Sequence, residues 1–379
     1  MNYPTYLDYN ATTPIDPMVL DVMLPYFGQH FGNAASRTHV FGAKAEQAVD
    51  HARQQLAHLL GADPKEVVFT SGATESINLA LKGVWEANRH RGNHFITVST
   101  EHKAVLDTCE HLSRQGAEIT YLQPDTDGLI TVDQVEAAIK SDTLLVSVMA
   151  ANNETGVLQP IHEIGAIAHK LGVLFHTDAT QAVGKTVLSV ANSAIDLLSL
   201  SGHKLYGPKG VGALVARNRI ALTAQQDGGR HERGRRSGTL NVPGIVGLGE
   251  AARQTQLHLA IETARIVALR DRLEAGIMAQ LPSATVNGNC RFRLPNTTNI
   301  CFAGLDGEAL LGSLNEIAVS NGSACTSAST EPSHVLKAMG LSDDLASSSV
   351  RFSLGRFTTE AEIEAAIRHV VAVVGRLVQ

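Results

Sequence analysis

The chain has 379 residues, 44% of them apolar and 18% charged, which is the balance of a globular protein with one large and one smaller domain. Its formal net charge of −6 gives no overall attraction to nucleic acid or to an anionic membrane surface, so direct nucleic-acid binding is not expected. No segment is long and apolar enough to span a bilayer and Met1-Asn2-Tyr3-Pro4 opens no secretory leader, which makes the cytoplasm the simplest location.

From residue 15 to 259, helix-like amphipathic stretches alternate with short β-branched runs, and there is no internal repeat. The runs at 66–70, 94–99, 118–122, 144–149, 174–177, 197–200 and 211–216 predict a mostly parallel seven-stranded sheet covered by helices on both faces, an α/β domain. Leu257, Ile261, Ile266, Leu269, Leu273 and Ile277 then follow at near-helical spacing and stop before Pro282. A domain boundary near residue 260 follows. Residues 260–379 mix helical segments with strand candidates at 297–302, 317–320 and 349–354, and together with residues 1–14 they form the expected small α+β domain.

Ligands of open α/β sheets bind beyond the carboxyl ends of the strands. Here those ends supply Ser71-Gly72-Ala73-Thr74, Glu101-His102, Asn152-Asn153-Glu154, Asp178 with Gln181, and Ser201-Gly202-His203-Lys204. The first cluster suits either a helix cap or a phosphate at a helix N-terminus. An isolated lysine would reach for solvent, but one that is partly desolvated in a crevice can attack a carbonyl to form a Schiff base. Asp178, at a neighbouring strand end, favours that chemistry for Lys204, because a carboxylate there holds a pyridinium nitrogen protonated. No GxGxxG follows the first strand and no GxxxxGK[ST] occurs, so the dinucleotide and P-loop readings lack their fingerprints.

Four cysteines, Cys109, Cys290, Cys301 and Cys325, form no CxxC pair and no zinc spacing with histidine, so reduced thiols and no metal site are expected. Cys109, Cys290 and Cys301 read as buried small hydrophobes. Cys325 differs, because Ser320-Asn321-Gly322-Ser323-Ala324-Cys325-Thr326-Ser327-Ala328-Ser329-Thr330 is a small polar run that reads as an exposed, mobile loop at about 320–331. The cluster Arg230, Arg233, Arg235 and Arg236 lacks interleaved aromatics and reads as scaffolding for a phosphate site.

Thr70-Ser71-Gly72-Ala73-Thr74-Glu75-Ser76, Asn152-Asn153-Glu154-Thr155-Gly156, His176-Thr177-Asp178-Ala179-Thr180-Gln181, Ser199-Leu200-Ser201-Gly202-His203-Lys204 and Arg236-Ser237-Gly238-Thr239 resemble the cysteine desulfurase family nearly end to end. The resemblance implies a fold-type I pyridoxal 5′-phosphate enzyme of the class V aminotransferase branch, homodimeric, with its sites near the subunit interface. It makes Lys204 the lysine that carries the cofactor and shuttles protons, Asp178 the partner of the pyridine nitrogen, and Gln181 a donor to the ring hydroxyl. His102 would stack on the ring and act as acid or base. Ala73, Thr74, Ser201 and His203 would hold the phosphate from one subunit, while Thr239 would reach it from the other. Asn153 and Arg351 would orient the substrate carboxylate, a task that the planar arginine fork suits.

The resemblance further implies that the Cys325 thiolate takes sulfur from L-cysteine, leaving L-alanine and a persulfide that passes to a protein acceptor. A related lyase or aminotransferase would need the same cofactor residues without Cys325, and a sulfur-donor scaffold would need no turnover. Iron–sulfur members usually continue with a C-terminal tail that docks their scaffold, whereas this sequence stops at Gln379. Iron–sulfur assembly, tRNA thiolation and DNA sulfur modification thus all stay open as destinations.

Overall fold

The computed structural model describes residues 3–321 and 331–378. A two-residue strand, β1 (Thr5–Tyr6), precedes seven strands of one sheet: β2 (Val67–Thr70), β3 (His94–Val98), β4 (Glu118–Leu122), β5 (Thr143–Ser147), β6 (Leu174–Asp178), β7 (Leu197–Ser201) and β8 (Gly212–Ala216). Their order is β2-β8-β7-β6-β5-β3-β4, with β8 antiparallel to both neighbours and the other pairings parallel. The other six strands therefore point their carboxyl ends at one edge, and the α/β class expected from the sequence is the class observed.

Every residue of β2, β3, β5, β7 and β8 is buried, because helices cover both faces of the sheet. Helices Val40–Leu60 and Ile161–Lys170 and the first half of Val242–Gln280 close one face, while Ala73–Asn88 and Lys103–Ser113 close the other. Polar side chains inside the sheet are matched across strands. His176 lies between Ser147 Oγ at 2.8 Å and Ser199 Oγ at 2.9 Å, and burial pushes its pKa down to about 3, so it is neutral.

Helix Val242–Gln280 is continuous for 39 residues and passes through residue 260. Its later residues Ile266, Leu269, Leu273 and Ile277 join a separate apolar cluster with helix Glu360–Leu377 and a second sheet. That sheet contains β9 (Thr285–Val286), β10 (Thr297–Cys301) and β12 (Ser349–Ser353), antiparallel in the order β12-β10-β9, and β11 (Ile317–Ala318) pairs in parallel with β1. The N-terminal segment touches both bodies: Leu7 sits in the smaller cluster, whereas the Thr13 amide donates to His203 O at 2.9 Å beside the large sheet. Cys109 and Cys301 are buried as expected, but Cys290 is exposed in the loop after β9, which offers it no apolar pocket.

Candidate active site

The strand ends build one cleft of about 520 Å³. After β2 the chain turns at Gly72, with φ 153°, into helix Ala73–Asn88, whose start carries no side-chain cap. The first-turn N–H groups and the positive helix end thus stay available to an anion. β8 lies hard against this turn: a Cβ on Gly212 would come within 2.6 Å of Gly72 Cα and 2.5 Å of Leu200 O. Only glycine lets the turn and the strand approach so closely.

After β3, His102 caps helix Lys103–Ser113, its Nδ1 accepting from the Ala104 amide at 3.1 Å. An accepting Nδ1 puts the proton of the neutral ring on Nε2. Beyond β5, Asn152 Oδ1 accepts from the Glu154 and Thr155 amides at 2.8 and 3.0 Å, a local turn that presents Asn153 to the cleft.

β6 ends on buried Asp178, whose Oδ1 accepts from the Thr180 amide at 2.9 Å. Gln181 follows, with Nε2 donating to Asn10 O at 2.9 Å. β7 ends on Ser201 and continues through a short 3₁₀ turn to Lys204. Lys204 Nζ donates to Ala11 O at 2.6 Å and also to Asn10 O, so the N-terminal segment forms the wall facing the lysine. His203 meets Thr12 Oγ1 at 3.0 Å; burial, then the positive charges of Lys204, Lys209 and Lys185, lower its pKa to about 4.

Arg351, on β12, reaches the same cleft from the smaller body. It is 2% exposed and donates to Asn153 O at 2.9 Å and to Asp8 Oδ1 at 2.6 Å, while its Nε is buried without a protein partner. Thr180 Oγ1, also in the cleft lining, is likewise unpartnered. These are unspent polar groups at a concave site.

Every site residue expected from the sequence lines this cleft except Thr239 and Cys325. Thr239 is exposed and outside the lining, and Cys325 lies outside the described residues. Two of the strand-end acids stand behind the cleft. Glu101 is fully buried, its Oε1 taking the Met149 amide at 2.6 Å, and burial first, then the Asp178 charge, pushes its carboxyl well up. Burial also raises Glu154, which accepts from Ser333 Oγ.

Of the arginine cluster, Arg236 is tied to the turn after β2, whereas Arg230 and Arg233 are exposed. Arg236 pairs with Glu75 at 2.7 Å, and Glu75 accepts from the Ser71 amide at 2.8 Å. Burial works against ionised Glu75, yet the hydrogen bonds from Arg236 and Ser71 outweigh it and hold the carboxyl below its ordinary value. The neighbouring Glu232 takes both terminal nitrogens of Arg53, at 2.8 and 2.7 Å, and the Phe69 amide at 2.8 Å.

Fold and site define a known class. The chain matches the family model Aminotransferase class-V over residues 5–366 and belongs to that family. Within it, the cysteine desulfurase IscS of Anaeromyxobacter dehalogenans is 56% identical over 370 residues, covering 97% of this chain and 92% of the relative. A solved NifS-like protein superposes with a TM-score of 0.93 at 36% identity, covering 99% of this chain and all of the other. A second solved structure, SspA in complex with cysteine, gives a TM-score of 0.83 at 40% identity over 94% of this chain and 100% of its own.

Proposed function

We propose that the chain is a pyridoxal 5′-phosphate-dependent cysteine desulfurase that converts L-cysteine to L-alanine and leaves the sulfur as a persulfide on Cys325. The observation that carries this reading is the convergence of Lys204, Asp178 and Gln181 with the uncapped helix start at Gly72 in one cleft. The donor set fits the cofactor: Ala73, Thr74, Ser201 and His203 suit a phosphate, Asp178 suits a protonated ring nitrogen, and Gln181 suits the ring oxygen. When bound, the cofactor supplies an electron sink for charge developing on the substrate carbon.

The protein's own groups do the rest. Lys204 carries the cofactor and moves a proton at Nζ. His102, whose Nδ1 accepts from the Ala104 amide, moves a proton at Nε2. Arg351, aided by Asn153, binds the substrate carboxylate through N–H groups that Asp8 and Asn153 O leave unspent. The Cys325 thiolate attacks the substrate sulfur, an S–S bond forms, the carbon–sulfur bond breaks, and its electron pair takes up a proton as alanine is made. The acceptor of the persulfide is a protein, either an iron–sulfur scaffold or a thiolation enzyme.

The reading includes a homodimer of two-domain subunits divided near residue 260, with Thr239 reaching the partner's phosphate site. Supporting it, Leu24, Phe27, Phe31, Val40 and Phe41 are exposed together with an open pocket of about 670 Å³ bordered by Arg37 and Arg230. No described helix is long and apolar enough to cross a membrane, and the described cysteines are free thiols, which supports a reducing cytoplasmic setting. The test is turnover with L-cysteine and a reductant. Alanine and alkylatable persulfide are expected from the wild type, and C325A is expected to keep the cofactor's visible absorption while forming no persulfide. Wild-type alanine release by C325A, or glutamate formation from 2-oxoglutarate as the main activity, would defeat the proposal.

A further inference from the structure

Lys185 lies behind the cleft and has no part in the chemistry above. Its Nζ donates to Gln181 Oε1 at 2.6 Å and lies 3.5 Å from Asn10 Oδ1. The orientation of the Gln181 amide follows from its partners. Asn10 O can only accept, so the amide nitrogen must face it, at 2.9 Å. That turns Oε1 toward Lys185, which is a donor in either protonation state. One N–H is thereby used on Asn10 O, the oxygen is used on Lys185, and the second N–H is left for the cleft.

Burial, followed by the charges of Lys204 and Arg351, pushes the Lys185 pKa well below its ordinary value. A lysine kept in such surroundings contributes chiefly through its hydrogen bond. Resting on the cofactor reading above, we propose that Lys185 is a positioning residue that locks the Gln181 amide so that it offers the ring oxygen of bound pyridoxal phosphate a donor and not an acceptor. Without Lys185, Oε1 loses its donor and the contact with Asn10 O alone orients the amide, so the donor is held less firmly toward the cleft.

The experiment titrates apoprotein with pyridoxal phosphate and follows the pH midpoint of the visible absorption, in wild type, Q181A, K185M, K185R and the Q181A/K185M double variant. K185M is expected to weaken cofactor binding roughly tenfold, the size of one lost hydrogen bond to a buried polar group, and to shift the midpoint in the same direction as Q181A. The double variant should match Q181A within about twofold, since Lys185 acts through Gln181. K185R, which keeps a donor, should restore both readouts. K185A provides the same comparison if K185M does not fold. Wild-type affinity and midpoint in folded K185M or K185A, or losses that multiply with Q181A, would overturn the proposal. Failure of the wild type itself to take up pyridoxal phosphate would instead overturn the cofactor reading.

Discussion

Replacing Arg351 by lysine tests its proposed role as the carboxylate anchor of the cleft. The guanidinium is buried and already gives one N–H to Asp8 and one to Asn153 O, so Nε–H and the remaining terminal N–H groups are what a carboxylate meets. A lysine retains the charge and can satisfy Asp8, but it cannot present a two-pronged fork. Losing one charge-assisted hydrogen bond of about 1.5–3 kcal/mol lowers kcat/KM about 10- to 150-fold. The contact exists in the substrate complex as well as later, so the loss should fall mainly on KM. The assay is alanine release from L-cysteine, paired with spectroscopic binding of cysteamine, which has the thiol and amine but no carboxylate. R351K should leave cysteamine binding unchanged. A kcat/KM for cysteine within about threefold of wild type, or an equal loss for cysteamine, would refute the assignment.

The other predictions concern the frame of the cleft. G212A forces a Cβ into Gly72 Cα and Leu200 O, so it should cost about 1–3 kcal/mol in denaturant unfolding and also weaken pyridoxal phosphate binding; a folded variant with normal cofactor affinity would contradict the close-approach argument. His176 stays neutral in the native state down to about pH 3, whereas the unfolded residue charges below its ordinary value of 6.5, so stability falls with acid. Between pH 6.5 and 5 that amounts to about 2 kcal/mol, and H176Q should flatten this part of the pH–stability curve measured by urea unfolding. Glu101 has the opposite sign: the native state holds its proton more tightly than the unfolded chain, so its contribution is present below the ordinary carboxyl value of 4.5 and is lost as pH rises. E101Q should therefore gain stability relative to wild type as pH is raised from about 5 to 7, and a constant gap would count against a protonated Glu101.

The large sheet was legible because its strands are apolar β-branched runs of the right length, and its site was legible because polar residues cluster just after them. Asn10 and Lys185 gave no such signal. Asn10 enters the site only because the N-terminal segment crosses from β1 to Lys204, a placement set by contacts hundreds of residues apart. Lys185 looked like any charged residue after a loop, and its importance lies in the direction of one amide. The start of helix Val242–Gln280 was also hidden, because Gly244, Gly247 and Gly249 break its apolar pattern. Their purpose is contact: a Cβ on Gly249 would lie 2.5 Å from Ala52 Cα of the adjoining helix. Cys290 was misjudged because nothing local distinguishes an exposed small thiol from a buried one.

Asn10 is also anchored by the far end of the chain. Its side chain bonds to Thr297 Oγ1 at 2.9 Å and its amide to Ser353 Oγ at 2.9 Å, partners 287 and 343 residues away. During synthesis the residues that wall in Lys204 leave the ribosome first, yet they must wait for nearly the whole chain before their anchors exist. Lys204, Asp178 and Gln181 can thus be present in a nascent protein that has no finished cleft. Chains stalled before residue 297 are expected to retain no pyridoxal phosphate, which would make cofactor capture a late check that synthesis has been completed.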